Sequence, residues 1–227
     1  MAFEKTPMLI LLKSLRVVVL VGGLVVVGQA SAQAVTNTSL NAQLLVAAHQ
    51  GDLSAVRQAL ARGAAVNSRN RLGKTVLMIA AEKGQLPMAA AALKAGADVN
   101  LGSLDRVSPL MAASFGGQSS LLRDMLAAGA RVDVVDRMKK PAIVYAAGQG
   151  HAEVVRLLLD QGVAVDTAYE NQLTALMWAA GGGSSDTVKL LLARGARTDP
   201  RDDRGLTALD IARQAGKTEV AGLLDAR

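Results

Sequence analysis

Between Leu173 and Ala196 the apolar and polar positions of the chain predict two short helices joined by a turn. Thr174 stands just before an apolar run, the place of an N-cap whose side-chain oxygen accepts a free backbone N–H. Leu176, Ala179 and Ala180 then recur at helical spacing. The triplet Gly181–Gly183 predicts the end of that helix in a loosened turn. The second helix carries Val188, Leu190, Leu191 and Leu192, apolar on nearly every side, so more than one of its faces needs cover. Gly195 follows the cationic Arg194, as at a left-handed helix stop. A pair this small cannot bury its own apolar surface, so neighbouring copies have to cover it.

The copies are present. Turn glycines recur at Gly51, Gly84, Gly117, Gly150, Gly183 and Gly216, each 33 residues from the last. Stop glycines follow the same step at Gly63, Gly96, Gly129, Gly162 and Gly195. So do core alanines at Ala47, Ala80, Ala113, Ala146, Ala179 and Ala212. Three columns in phase predict a stacked repeat.

The segments TVLMIAAEKG, SPLMAASFGG, PAIVYAAGQG, TALMWAAGGG and TALDIARQAG resemble the ankyrin repeat, whose pattern runs T-P-L-H-x-A-A-x-x-G, an apolar helix, then G-A-D-V-N. GADVN at Gly96–Asn100 and GAAVN at Gly63–Asn67 match that tail. The resemblance spans Asn41 to about Asp225. It implies an all-α solenoid of six stacked helix-turn-helix units with β-hairpin finger loops. The repeats fall near 41–68, 69–101, 102–134, 135–167, 168–200 and 201–227.

The chain departs from that pattern in three columns. The histidine of T-P-L-H, which the resemblance would assign to hydrogen bonds between repeats, is replaced by Leu45, Met78, Met111, Val144, Met177 and Asp210. Apolar contact is expected to take over that task. Three methionines in one column could suggest a soft-metal site, but methionine as a core filler explains them better. Pro141 stands where Thr75, Ser108, Thr174 and Thr207 supply hydroxyl caps, so the fourth first-helix is expected to start less firmly. Arg106, Lys139 and Gln172 replace the finger-turn glycine that Gly73 and Gly205 keep, so those turns either hold strain or change shape.

Residues 1–34 do not belong to the repeat. Lys5, Lys13 and Arg16 precede the apolar run Val17–Val27, and Ala30-Ser31-Ala32 and Ala32-Gln33-Ala34 are small-x-small cleavage motifs. This is the layout of a cleavable secretory signal peptide, an uncleaved anchor being the rival, and the expected destination is the periplasm. Residues 35–40 read as a polar linker before the repeat domain, 41–227. The chain has no cysteine, which excludes a disulfide framework and a thiolate metal site. With the leader go three cations and one anion, so the net charge falls from +6 to a mild +4 that does not point to nucleic acid. The mature chain is expected to be a monomer free of the membrane.

No catalytic constellation emerges. His49 and His151 are the only histidines and lie about three repeats apart, too far to cooperate. Gly181–Gly183 lacks the Lys-Ser/Thr of a phosphate loop. Asp98, Asp133, Asp166 and Asp199 give one carboxylate per repeat after the helix stops, which suits turn hydrogen bonds better than a calcium site. No enzyme activity, cofactor or metal is expected.

A binding surface remains. The resemblance implies a concave groove lined by finger tips and first-helix ends. The candidate partner-binding residues are Arg71, Leu72, Lys74, Leu104, Arg106, Phe115, Arg137, Met138, Lys140, Tyr145, Tyr169 and Trp178. Phe115, Tyr145, Tyr169 and Trp178 are all the aromatics of the mature chain, and aromatics beside arginines are common interface anchors. Tyr145 and Trp178 could equally pack between repeats. The leading expectation is a non-catalytic protein-binding module that supports or inhibits a partner enzyme. The alternative is a binder of a small anionic or cell-envelope ligand through the basic fingers.

Overall fold

The computed structural model describes residues 39–226, and the expected leader lies outside them. Helix α1 covers 39–50. It is followed by α2 (Leu53–Ala61), α3 (Val76–Glu82), α4 (Leu86–Lys94), α5 (Pro109–Phe115) and α6 (Ser119–Ala127). Then come α7 (Ala142–Gln149), α8 (Ala152–Asp160), α9 (Ala175–Gly182), α10 (Ser185–Ala193), α11 (Ala208–Gln214) and α12 (Thr218–Asp225). Residues 39 and 40 already belong to α1, and Leu40 lies in the core, so the folded unit begins inside the expected linker.

The helices stand in two rows. The first helices α3, α5, α7, α9 and α11 pack side by side, and α2, α4, α6, α8, α10 and α12 form the second row. Helix α3 packs on both α4 and α5, which is why it is buried along Val76–Ala81. The second row shows water one face and buries a stripe, Val154, Val155 and Leu158 in α8. One apolar core runs the length of the stack. The alanine column, Ala80, Ala113, Ala146, Ala179 and Ala212, sits fully inside it and keeps neighbouring helices close.

Thr75, Ser108, Thr174 and Thr207 cap their helices by accepting the N–H three residues on. The methionine column serves the same caps. Met111 and Met177 are buried, and their sulfurs accept the N–H of Ser108 and Thr174 at 3.3 and 3.5 Å. Asp210 does this with a carboxylate, accepting from the Thr207 N–H at 2.9 Å. The column is thus cap and core. Helix α7 lacks the hydroxyl cap at Pro141 yet spans Ala142–Gln149, because burial of its residues supplies the stability that the cap would add.

One expectation is corrected. Apolar contact does not act alone between repeats, because polar ties exist in another column, just after each turn glycine. There Gln118 Nε2 donates to the Ala81 carbonyl at 2.5 Å, His151 Nε2 to Phe115 O at 2.9 Å, and Ser184 Oγ to Gly150 O at 3.4 Å. The glycine triplet does end its helix, at its last member. Helix α9 runs through Gly182, and only Gly183 turns left-handed, at φ 77°. Gly182 lies against the Gly148 carbonyl of α7, where a Cβ would collide.

Candidate functional site

Each finger is a tight hairpin closed by two backbone bonds, its second residue donating to the sixth and accepting from the fifth. Asn70 N–H donates to Lys74 O at 3.0 Å, and the same bond recurs from Ser103 to Val107, Asp136 to Lys140, Tyr169 to Leu173 and Asp202 to Leu206. No residue among those described is in a β-strand, so the fingers are turns and do not extend into paired strands. The second finger position holds the turn. Asn70, Asp136 and Asp202 each accept two finger N–H groups on one side-chain oxygen, and the Ser103 hydroxyl accepts one. Buried Asp202 is drawn both ways: desolvation raises its pKa, while the N–H of Leu206 and the Arg204 guanidinium lower it, and the net shift is down.

Sequence reasoning missed this column, although its signal was visible as four short acceptors at a fixed offset before the cap. Tyr169 occupies it in finger five and has no oxygen within reach of the turn. There the shape changes: Asn171 and Gln172 both sit at φ 59° within a 3-10 turn, Glu170–Gln172. Arg106 and Lys139 keep the glycine conformation instead, at φ 61° and 55°. That costs about 1 kcal/mol each. Both expected outcomes therefore occur, in different fingers.

The fingers also join each other. Leu104 N–H donates to Leu72 O at 3.0 Å, Arg137 N–H to Asp105 O at 3.1 Å and Asp203 N–H to Asn171 O at 3.1 Å. Between fingers four and five the described residues show no such backbone bond, and a Lys139–Glu170 ion pair at 2.9 Å spans the gap. Arg69 donates to the Gly73 carbonyl at 2.9 Å and reaches the Gly102 carbonyl, so it ties finger two to the next repeat.

The candidate residues separate into three groups. Leu72, Leu104, Phe115 and Met138 are 60%, 55%, 53% and 62% exposed, and they are four of the six large apolar side chains that face water among the described residues. Arg71, Arg106 and Arg137 are exposed beside them. Lys74 is engaged with Glu82 at 2.8 Å, and Arg137 pairs loosely with Asp105 at 3.7 Å. Tyr145, Tyr169 and Trp178 are half-buried against the core, so the two roles weighed for Tyr145 and Trp178 coexist.

Tyr145 and Trp178 bound a groove of about 500 Å³ together with Phe115, Lys140, Met177 and Arg204. Its floor includes Gly148, Gly181 and Gly182. The rings of Phe115 and Tyr145 meet edge to face, centroids 6.2 Å apart at 74°. The ammonium of Lys140 stands 4.5 Å from the centre of the Trp178 ring. The Tyr145 hydroxyl donates to Asp136, and burial first, then this bond, raises its pKa well above the ordinary tyrosine value. Tyr169, which joins none of these contacts, is raised by burial.

The remaining chemistry is structural. His151 serves the inter-repeat bond described above. Asp133 and Asp199 pair with Arg131 and Arg197, which lowers their pKa values. Asp166 accepts the Arg197 N–H at 2.9 Å, and Asp98 accepts that of Asn100 at 2.8 Å. Asp98 stands two positions earlier in the repeat than the other three, so the four carboxylates form no single column. No group of three or more metal-ligating side chains lies together among the described residues, and no described helix is long and apolar enough to cross a membrane.

A family profile for three-copy ankyrin repeats matches residues 44–136, 110–202 and 143–226. The chain belongs to the ankyrin repeat family. Among solved structures it is similar to the crystal structure of EF0377, an ankyrin repeat protein, at 34% identity and a TM-score of 0.72, over 81% of this chain and 96% of that one. No curated protein matches the chain. Ankyrin repeats generally mediate protein–protein interaction, and members of the family are typically non-catalytic binding modules.

Proposed function

We propose that this chain is a periplasmic protein-binding module that holds its partner in the concave groove of repeats two to five and supports or inhibits a partner enzyme. The carrying observation is the concentration of exposed Leu72, Leu104, Phe115 and Met138 on the finger side, where the stack does not need them. Such side chains supply most of the energy of an interface when they anchor in a partner's pockets. Export to the periplasm rests on the leader pattern of residues 1–34.

The anionic-ligand alternative is weaker. A small anion needs several cations converging on one point, whereas Lys74, Arg137, Lys139 and Arg204 are each already paired with a carboxylate.

Affinity capture from periplasmic extract tests the proposal. Wild type should retain a stoichiometric protein band, and Phe115→Ala with Met138→Ala should lose it while the thermal melt stays in place. Arg156→Ala and Lys189→Ala, on the outer helices, should keep the band. Loss of the band only in the outer-face variants would overturn the groove assignment. Retention of phosphate-rich or envelope fragments without a protein band would support the alternative.

A further inference from the structure

The groove is built around a missing side chain. The helix position filled by Glu82 in repeat two and Phe115 in repeat three is glycine in the next two repeats, at Gly148 and Gly181. Both lie inside helices, away from positive φ, so backbone conformation does not demand glycine there. Their lack of a Cβ is what leaves the cup open between Tyr145, Trp178 and the Ile211 side chain beyond. Such a floor is apolar, and a polar group placed on it would lose its hydration without a partner.

The rim differs in character from the floor. Lys140 and Arg204 stand at its edge. The five fingers, 69–75, 102–108, 135–141, 168–174 and 201–207, together carry nine Lys and Arg side chains against five Asp and Glu, whereas the rest of residues 39–226 has a slight excess of carboxylates. The positive field therefore belongs to the finger face and steers acidic chains toward it.

Resting on the reading of this face as a protein-docking groove, we infer that the cup receives an aromatic side chain flanked by carboxylates in an extended segment of the partner. The ring meets the edges of Tyr145 and Trp178 over the glycine floor. The flanking carboxylates meet Lys140, whose ammonium lies over Trp178 and pairs with no carboxylate among the described residues. A basic segment is repelled by the same rim.

Trp178 is the single tryptophan of the chain, so its emission reports occupancy of the cup. The probe is a synthetic Gly/Ser peptide with a central Glu-Phe-Glu, compared with versions carrying Gln-Phe-Gln, Glu-Ser-Glu or Lys-Phe-Lys, and with phosphatidylglycerol vesicles. The Glu-Phe-Glu peptide should change Trp178 emission saturably, with a midpoint about tenfold below those of the other peptides. Gly181→Leu should abolish the response; a Cβ there would lie 3.3 Å from Ile211 Cγ2, so Ile211 has to shift slightly, and a retained cooperative melt shows that the fold survives. Lys140→Gln should weaken the acidic peptide about tenfold and leave the Gln-flanked one unchanged. A Gln- or Lys-flanked peptide that binds as tightly as Glu-Phe-Glu, or a response to vesicles alone, overturns the inference. So does protein capture that survives Gly181→Leu but is lost in the Phe115→Ala, Met138→Ala variant, and that outcome leaves the groove reading standing.

Discussion

Asp136 and Tyr145 are joined through the phenol hydroxyl, which donates to one carboxylate oxygen while the other accepts the N–H groups of Met138 and Lys140, each at 2.8 Å. One buried side chain thereby fixes the fourth finger and the aromatic wall of the groove beneath it.

Replacing Asp136 by Ala should therefore destabilise the protein by about 2–4 kcal/mol, because two N–H groups and a half-buried hydroxyl lose their acceptor. Asp136→Asn keeps the oxygen that holds the turn and should cost about 1 kcal/mol. Urea midpoints decide this; equal losses in the two variants would mean that charge, rather than turn geometry, is what Asp136 supplies.

Alkaline titration offers a second check. Both tyrosines have raised pKa values in the folded state, Tyr145 chiefly by burial and then by Asp136, Tyr169 by burial. A raised phenol favours folding below its unfolded pKa, and that stability is lost as pH rises through the folded value. Ultraviolet difference absorbance of folded protein should show no half-formed tyrosinate at about pH 10, whereas the urea-unfolded chain should show both tyrosines half-ionised there. A folded-state midpoint near that pH would break the Tyr145–Asp136 bond as described.

Glycines that share the left-handed region should differ in cost. Gly129 sits at φ 85° with nothing within 4 Å of a built Cβ, whereas at Gly117, φ 67°, a Cβ would lie 2.5 Å from His151 Nδ1. Gly129→Val should lower stability by about 1–2 kcal/mol from backbone strain alone. Gly117→Ala should cost about 2–4 kcal/mol, the excess coming from displacing His151 from the Phe115 carbonyl. In a double-mutant cycle His151→Ala should absorb that excess. Strict additivity would show that the imidazole yields freely.

The proposed export predicts a processed chain. Protein released by osmotic shock should have an intact mass that begins at Gln33 or Val35. Full-length mass in the membrane fraction would favour a retained anchor.

The repeat itself was readable in one dimension. A 33-residue step in three columns fixes a stack, because each unit lacks the bulk to bury its own apolar face. Exposure of Leu72, Leu104, Phe115 and Met138 was legible too, since the resemblance puts the fingers and the first-helix ends on the groove, where the stack does not need their side chains. Tyr169 was harder. Its place in the column of Asn70, Asp136 and Asp202 signals a lost acceptor, but the resulting double left-handed turn depends on how the backbone relaxes.

By itself the sequence determined the solenoid, its helix limits to within a residue or two, and the side of the stack that carries spare apolar groups. Periodicity settles these because helix geometry maps spacing onto faces. Only the tertiary structure decided that Gln118, His151 and Ser184 tie successive repeats, that Gly182 lies against the Gly148 carbonyl, and that Lys140 covers Trp178. Each of these pairs is 34 to 38 residues apart and joins different units. Spacing places such residues in neighbouring repeats, but side-chain length and the room left by a missing Cβ determine which atoms meet.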